Sequence, residues 1–373
     1  MDINATLTSI REAGNFRSIP TEDADGYVDL SSNDYLGFGI DTRLREQFFA
    51  EQNPQAMIMS ASASRLLSLY QKDFTALESV LSDSYGGRAA LLFNSGYHAN
   101  TGLVSAIASD GHTLIVADRL VHASIIDGIK LSGAPFERFR HNDLTHLERL
   151  IERNLAKYST ILVVVESVYS MDGDYADLSA IANLRRRYHE QLLLYVDEAH
   201  AVGAVGPGGL GESARCGILN DVDILVGTLG KALASTGAFA ILSKGMRDFM
   251  VNRARSLIFS TAMPPLCARW SKFIWEHSLQ ADSVRQQLQL RAKMLADIIP
   301  GGPASHIRPL IVGDASGAVA LSRKLLNEGF KVLPIRTPTV PPGTERLRFS
   351  LSAAIPECEI LRLGQILPII NKK

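Results

Sequence analysis

The chain has 373 residues, of which 46% are hydrophobic and 21% charged, with a formal net charge of −1. That length accommodates two domains or one large one, and the near-neutral balance gives no electrostatic reason to expect nucleic acid or an anionic membrane as partner. Cys216, Cys267 and Cys358 lie far apart with no CxxC pair, which argues against a disulfide framework or a zinc site.

The opening residues lack a basic stretch followed by an apolar core, so no signal peptide is expected, and no apolar run approaches the ~20 residues of a membrane span. A soluble, cytoplasmic protein is the expectation. Residues 4–13 read as a short helix ended by Gly14-Asn15, and 27–30 as a short strand leading into the polar loop 31–37. From there to about residue 258, apolar runs (89–93, 113–117, 161–165, 192–196, 224–226 and 238–242) alternate with amphipathic stretches such as 144–157 and 178–189. Continuous apolarity suits strands covered on both faces, and the alternation predicts an α/β architecture with a mostly parallel sheet and helices on both faces. Arg185-Arg186-Arg187, the densest basic run, reads as a solvated helix face.

Pro264-Pro265 marks a break, after which a long helical pattern runs over 266–298 and closes at Pro300-Gly301-Gly302-Pro303. The remainder has strands at 308–312, 331–334 and 345–351 and a helix at 317–328, which predicts a small C-terminal α+β domain. The expected division is an N-terminal helix and arm (1–45), a large domain (46–262) and a small domain (263–373). No internal repeat or low-complexity segment is present.

The chemistry concentrates at the ends of the apolar runs. Asp197-Glu198-Ala199-His200 follows the run 192–196, and Lys231, within Gly227-Thr-Leu-Gly-Lys-Ala232, follows 224–226. An acid, a histidine and a lysine are thereby delivered to strand ends, where open α/β sheets bind their ligands. This trio suits pyridoxal phosphate chemistry: a lysine to form an imine, a carboxylate on the pyridine nitrogen, a polar group on the ring oxygen. Three look-alikes fail. Lys231 is followed by Ala232 rather than the Ser or Thr of a P-loop, and its flanking glycines are too close together. Asp-Glu-Ala-His spells a helicase box, but no P-loop or nucleic-acid surface accompanies it. Gly206-Pro-Gly-Gly-Leu-Gly211 matches a dinucleotide fingerprint by letter, yet no acid stands twenty residues on and Pro207 is awkward in the turn, so it reads as a loop.

Other segments share the same rim, each with a plain structural alternative. Residues 94–100, Asn-Ser-Gly-Tyr-His-Ala-Asn, open a helix after 89–93, and backbone N–H groups at such a start suit a phosphate. His122 follows 113–117 and could stack on an aromatic ring, or simply be structural. Glu166 and Ser170 follow 161–165, on what could equally be a solvated loop with a turn at Asp172-Gly173. Residues 346–352 alternate strictly, with Arg346 and Arg348 on one face. Either that face is wet, or an arginine there binds a substrate carboxylate bidentately.

In order along the chain, SNDYLG (32–37), SGYxAN (95–100), DRLVHAS (118–124), ESVYSMDGD (166–174), VDEAH (196–200), GTLGKA (227–232), FSTAMPP (259–265) and RLRFSLSAA (346–354) resemble the PLP-dependent α-oxoamine synthases of fold type I. That resemblance implies an acyltransferase, which condenses a small amino acid with an acyl thioester and loses carbon dioxide. Lys231 would carry pyridoxal 5'-phosphate as a Schiff base and serve as the base. Asp197 would pair with the pyridinium nitrogen, His200 bind the ring oxygen and His122 stack on the ring. The backbone of Gly96 and Tyr97, with Thr228, would hold the phosphate, while Glu166 and Ser170 line the pocket. Ser260 and Thr261 would reach the phosphate of a neighbouring subunit, implying a homodimer with shared sites. Arg348 would take the substrate carboxylate, with Asn33 nearby. No metal is implied. The compact chain and the opening segment 12–20 are similar to the branch that joins L-alanine to a pimeloyl thioester, carried on CoA or a carrier protein. Branches acting on glycine or making sphingoid bases remain open, as do an aminotransferase or lyase and a non-catalytic partner subunit, though Lys231 argues against the last. The chain departs from the family at Ser60-Ala-Ser-Ala-Ser64, where glycines are usual, and at Leu69-Tyr-Gln-Lys-Asp73 and Ile355, where histidines are.

Overall fold

The computed structural model describes residues 1–17, 19 and 26–370, so Ser18 and Pro20 of the opening segment lie outside the described residues. The chain forms two compact units. The larger comprises Leu36–Tyr169 and Tyr175–Arg285, the smaller Met1–Tyr35, Ser170–Asp174 and Gln286–Lys373. The expected boundary at 262 therefore falls inside the larger unit, where Trp270 packs on Phe48 and Trp275 on Phe239 and Tyr85.

The larger unit is built on seven strands: β1 (Ala89–Phe93), β2 (Thr113–Asp118), β3 (Phe136–Phe139), β4 (Thr160–Glu166), β5 (Leu192–Asp197), β6 (Ile224–Thr228) and β7 (Ala238–Leu242). Their order across the sheet is β1-β7-β6-β5-β4-β2-β3, with only β7 antiparallel to its neighbours. The runs of Val, Ile and Leu in β2, β4 and β5 are buried on both faces, as a helix-covered parallel sheet requires. β3 was not expected. Its sequence, Phe-Glu-Arg-Phe, has three of four residues partly or fully exposed because it is an edge strand, so no apolar run marks it. Helices Gly96–Ile107 and Ala123–Ser132 pack closely because Gly128 has no Cβ; one added there would lie 2.9 Å from the Asn100 carbonyl.

The helical pattern at 266–298 is two helices, Pro265–Leu279 and Asp282–Ile298. Arg285 Nη1 donates to the Ser278 carbonyl at 2.8 Å while its Nε donates to Asp282 Oδ1 at 2.9 Å, tying the end of the first helix to the first turn of the second.

In the smaller unit β8 (Ile307–Ile311), β9 (Leu333–Ile335) and β10 (Arg346–Ser350) form an antiparallel sheet in the order β9-β10-β8. Val28–Asp29 pairs in parallel with Phe330–Lys331. Arg346 and Arg348 are buried, so β10 has no wet basic face. Among the described residues no helix is long and apolar enough to cross a membrane.

Candidate active site

The carboxyl ends of β2, β4, β5 and β6 share one edge of the large sheet, and strand register decides which side chains meet there. Pairing of β4 with β5 sets Glu166 beside Asp197. A cavity of about 160 Å³ opens at this edge, lined by Gly96, Tyr97, Asn100, His122, Ser124, Glu166, Asp197, Ala199, His200, Thr228 and Lys231.

Lys231 follows β6 in a turn closed by two hydrogen bonds, from Leu229 N to the Gly237 carbonyl and from Ser235 N to the Leu229 carbonyl, each 2.9 Å. Its Nζ lies 2.8 Å from His200 Nε2. A charged lysine has hydrogens only to give, so in that state Nε2 accepts. Asp197 caps the segment after its strand, Oδ1 accepting from Ala199 N at 2.9 Å, while Oδ2 accepts from Asn100 Nδ2 at 2.7 Å. Glu166 is buried beside it, and its Oε1 has no hydrogen-bond partner among the described residues. Burial, reinforced by the Asp197 charge, pushes the Glu166 carboxyl well above its ordinary range, against the opposing pull of Lys231 and the His122 main-chain N–H. Burial likewise pulls the His122 imidazole down, with Asp197 opposing and Lys231 assisting.

The helix Gly96–Ile107 starts at the cavity. Ser95 caps it, its Oγ accepting from His98 N at 3.2 Å, and neither the Gly96 nor the Tyr97 N–H has an acceptor among the described residues. Nothing lies within 4 Å of where a Gly96 Cβ would stand. Two unclaimed N–H groups at the positive end of a helix dipole form an anion site. Thr228 lines the same cavity, but its hydroxyl donates to the Gly237 carbonyl at 3.2 Å and accepts from Gly230 N at 3.3 Å, closing the lysine turn. Tyr97 gives its hydroxyl to Asp127 Oδ2, so its contribution to the cavity is its backbone.

These groups fit pyridoxal phosphate: a phosphate cradle at a helix start, a lysine and a histidine in contact, a carboxylate at the cavity wall, and a buried Glu166 oxygen without a partner among the described residues. Ser260 and Thr261 are not among the residues lining this cavity. They meet Asn94, whose Nδ2 donates to Ser260 Oγ at 2.9 Å and to the Thr261 carbonyl at 2.5 Å, and Thr261 bridges to Ser64. Among the described residues no cluster of His, Cys, Asp or Glu could hold a metal.

In the smaller unit, Arg348 Nε donates to the Ser170 carbonyl at 2.6 Å and its Nη2 to Asn33 Oδ1 at 3.1 Å. Asn33 Oδ1 also accepts from the Tyr35 hydroxyl at 3.0 Å. Burial pushes the Tyr35 phenol up to about 12, with Arg348 drawing it down. Ser170 thus acts through its main chain here. Reading the sequence by strand ends brings out Lys231, Asp197, His200 and His122, but misses Asn100, Ser124 and Tyr195 as contributors. They sit in quoted or apolar segments, and only tertiary pairing gives them work.

The pattern of the family "Aminotransferase class I and II" matches residues 25–367. A putative 8-amino-7-oxononanoate synthase of Pasteurella multocida is 44% identical over 369 residues, covering 95% of each chain. An 8-amino-7-oxononanoate synthase of Chlorobaculum parvum is 44% identical over 337 residues, covering 87% of this chain and 85% of that one. Among solved structures, a serine palmitoyltransferase from S. paucimobilis with bound PLP–myriocin has a TM-score of 0.88 at 26% identity, covering 98% of this chain and 96% of that chain. The 8-amino-7-oxononanoate synthase of Francisella tularensis has a TM-score of 0.75 at 27% identity, over 93% and 97%. With the match spanning nearly the whole chain and the cavity built as described, this protein belongs to the class I and II aminotransferase family of pyridoxal phosphate enzymes, fold type I.

Proposed function

We propose that the chain is an 8-amino-7-oxononanoate synthase, joining L-alanine to a pimeloyl thioester with release of carbon dioxide and the thiol. The observation that carries the reading is Lys231 Nζ in contact with His200 in the cavity that Asp197, Glu166, His122 and the Gly96 helix start also line. When bound, pyridoxal phosphate supplies an electron sink for negative charge at the amino-acid α-carbon. Lys231 would hold that group covalently and, when freed, would be placed to take the α-proton. Asp197 would hold the ring nitrogen, His200 would bind the ring oxygen, and His122 would pack against the ring. The Gly96 and Tyr97 N–H groups hold the phosphate, with Thr228 closing the turn that aims Lys231. Arg348, fixed by Ser170 and Asn33, is the residue for a substrate carboxylate.

The enzyme works in the cytoplasm as a homodimer in which Ser260 and Thr261 serve the neighbouring subunit's phosphate site. Three cysteines, all free thiols in the structure, support a reducing compartment. The same scaffold carries serine palmitoyltransferases, so substrate identity is the point to test. Purified protein loaded with pyridoxal phosphate is mixed with L-alanine, glycine or L-serine, then with pimeloyl-CoA, and release of free thiol is followed. Turnover with L-alanine and pimeloyl-CoA only is expected; turnover with glycine or serine and silence toward pimeloyl-CoA would overturn the substrate assignment.

A further inference from the structure

Three buried side chains have no role in the scheme above: Asn100 and Ser124, which line the cavity, and Tyr195 behind them. Asn100 stands in the helix Gly96–Ile107 and spends every polar atom. Its Nδ2 donates to Asp197 Oδ2 at 2.7 Å and to Ser124 Oγ at 2.9 Å, and its Oδ1 accepts from the Tyr195 hydroxyl at 2.6 Å. The orientation of the amide follows from its partners: a carboxylate has nothing to donate, so the amide nitrogen must face Asp197. The Tyr195 hydrogen is then needed at Oδ1. Ser124 Oγ, accepting from Asn100, has its own hydrogen left for His122 Nδ1, 2.8 Å away. The Ser124 N–H reaches the same nitrogen at 3.2 Å. Two donors at Nδ1 leave the hydrogen of a neutral imidazole on Nε2.

We propose that Asn100, anchored by Tyr195, is a positioning residue that fixes Asp197 as a hydrogen-bond acceptor and, through Ser124, fixes His122 in its Nε2–H tautomer. One amide thereby sets two of the groups that hold the cofactor ring, at the ends of two different strands. This rests on the reading that the cavity takes pyridoxal phosphate. The titratable groups facing Asp197 are Glu166 from β4, Tyr195 from its own strand, and His122, His200 and Lys231 from the loops around it. Asn100→Leu keeps all of them, so its ratio to the parent isolates the amide.

The test strips the full-length protein of cofactor and titrates it with pyridoxal 5'-phosphate from pH 6 to pH 8, following the absorbance of the bound cofactor. Asn100→Leu keeps the approximate volume but takes a donor from the Asp197 carboxylate and another from Ser124 Oγ. Its affinity is expected to be about 10-fold below the parent's, the loss of one hydrogen bond to a charged group, and the absorbance maximum of the bound cofactor is expected to shift. Tyr195→Phe keeps both amide donors and loses only the anchor, so a drop of about threefold is expected, little changed by pH. Asn100→Leu within twofold of the parent throughout, or weaker with the absorbance maximum of the bound cofactor unchanged, would overturn the proposal. If Asn100→Leu does not fold by circular dichroism, Tyr195→Phe within twofold of the parent overturns it. Failure of the parent itself to take up the cofactor would instead bring down the functional reading beneath it.

Discussion

Glu166 and Asp197 reach the cavity side by side because their strands pair in parallel register, and burial pushes the Glu166 carboxyl well above its ordinary range. In the unfolded chain that carboxyl ionises near its ordinary 4.5. Between that pH and its raised folded value the native state holds the extra proton, so stability falls as pH rises through this window. Glu166→Gln mimics the protonated form and removes the titration. The cofactor-free variant should therefore melt ~2 °C or more above the parent at pH 7–8, the difference closing toward pH 4.5. Scanning calorimetry across that range checks it; equal melting temperatures throughout would mean Glu166 is ionised in the fold. At this scale the sequence was legible where chemistry follows an apolar run. Lys231, Asp197, His200 and His122 announce themselves by residue type at strand ends. Asn100 and Tyr195 do not, because an amide 97 residues from the carboxylate it serves carries no local sign of that partner.

Among the elements, the turn joining β6 to β7 decides where Lys231 points. Gly237 at its end has φ +99°, and a Cβ there would stand 2.4 Å from Met263 Cε and 3.0 Å from the Phe93 carbonyl. The Gly237 carbonyl meanwhile receives Leu229 N and the Thr228 hydroxyl. Gly237→Ala should cost about 1–3 kcal/mol from backbone strain alone, read as a lower urea midpoint, and should weaken cofactor retention because the lysine turn must shift. An unchanged midpoint would show that the turn relaxes freely. The strands β1, β2, β4, β5, β6 and β7 were legible as apolar runs. β3 was not, since an edge strand half in water has no such run, and neither was the break between Leu279 and Asp282, across which Arg285 ties one helix to the next. The motif with Arg346 and Arg348 showed its period in sequence but not its burial, which depends on acceptors at Asp172, Ser170 and Asn33.

For the whole molecule, the proposed dimer makes a concentration-dependent claim. Ser260 and Thr261 lie off the Lys231 cavity of their own chain, so if they serve the neighbour's phosphate, dissociation should release cofactor. Analytical ultracentrifugation with absorbance detection should show a species of twice 40.6 kDa carrying the cofactor colour. A coloured monomer would count against shared sites. The sheet order has a further consequence. β1, which leads into the phosphate-binding helix start, is an edge strand whose single neighbour is β7, and their paired residues, such as Ala89 and Leu242, lie about 150 positions apart. A growing chain on the ribosome therefore exposes β1 without its strand partner while five of its successors are made. Until residue 242 has left the exit tunnel, β1 lacks its strand partner, and the half-built sheet offers an open edge to any chaperone or neighbouring nascent chain. Cofactor capture is thus a late event in the life of the polypeptide.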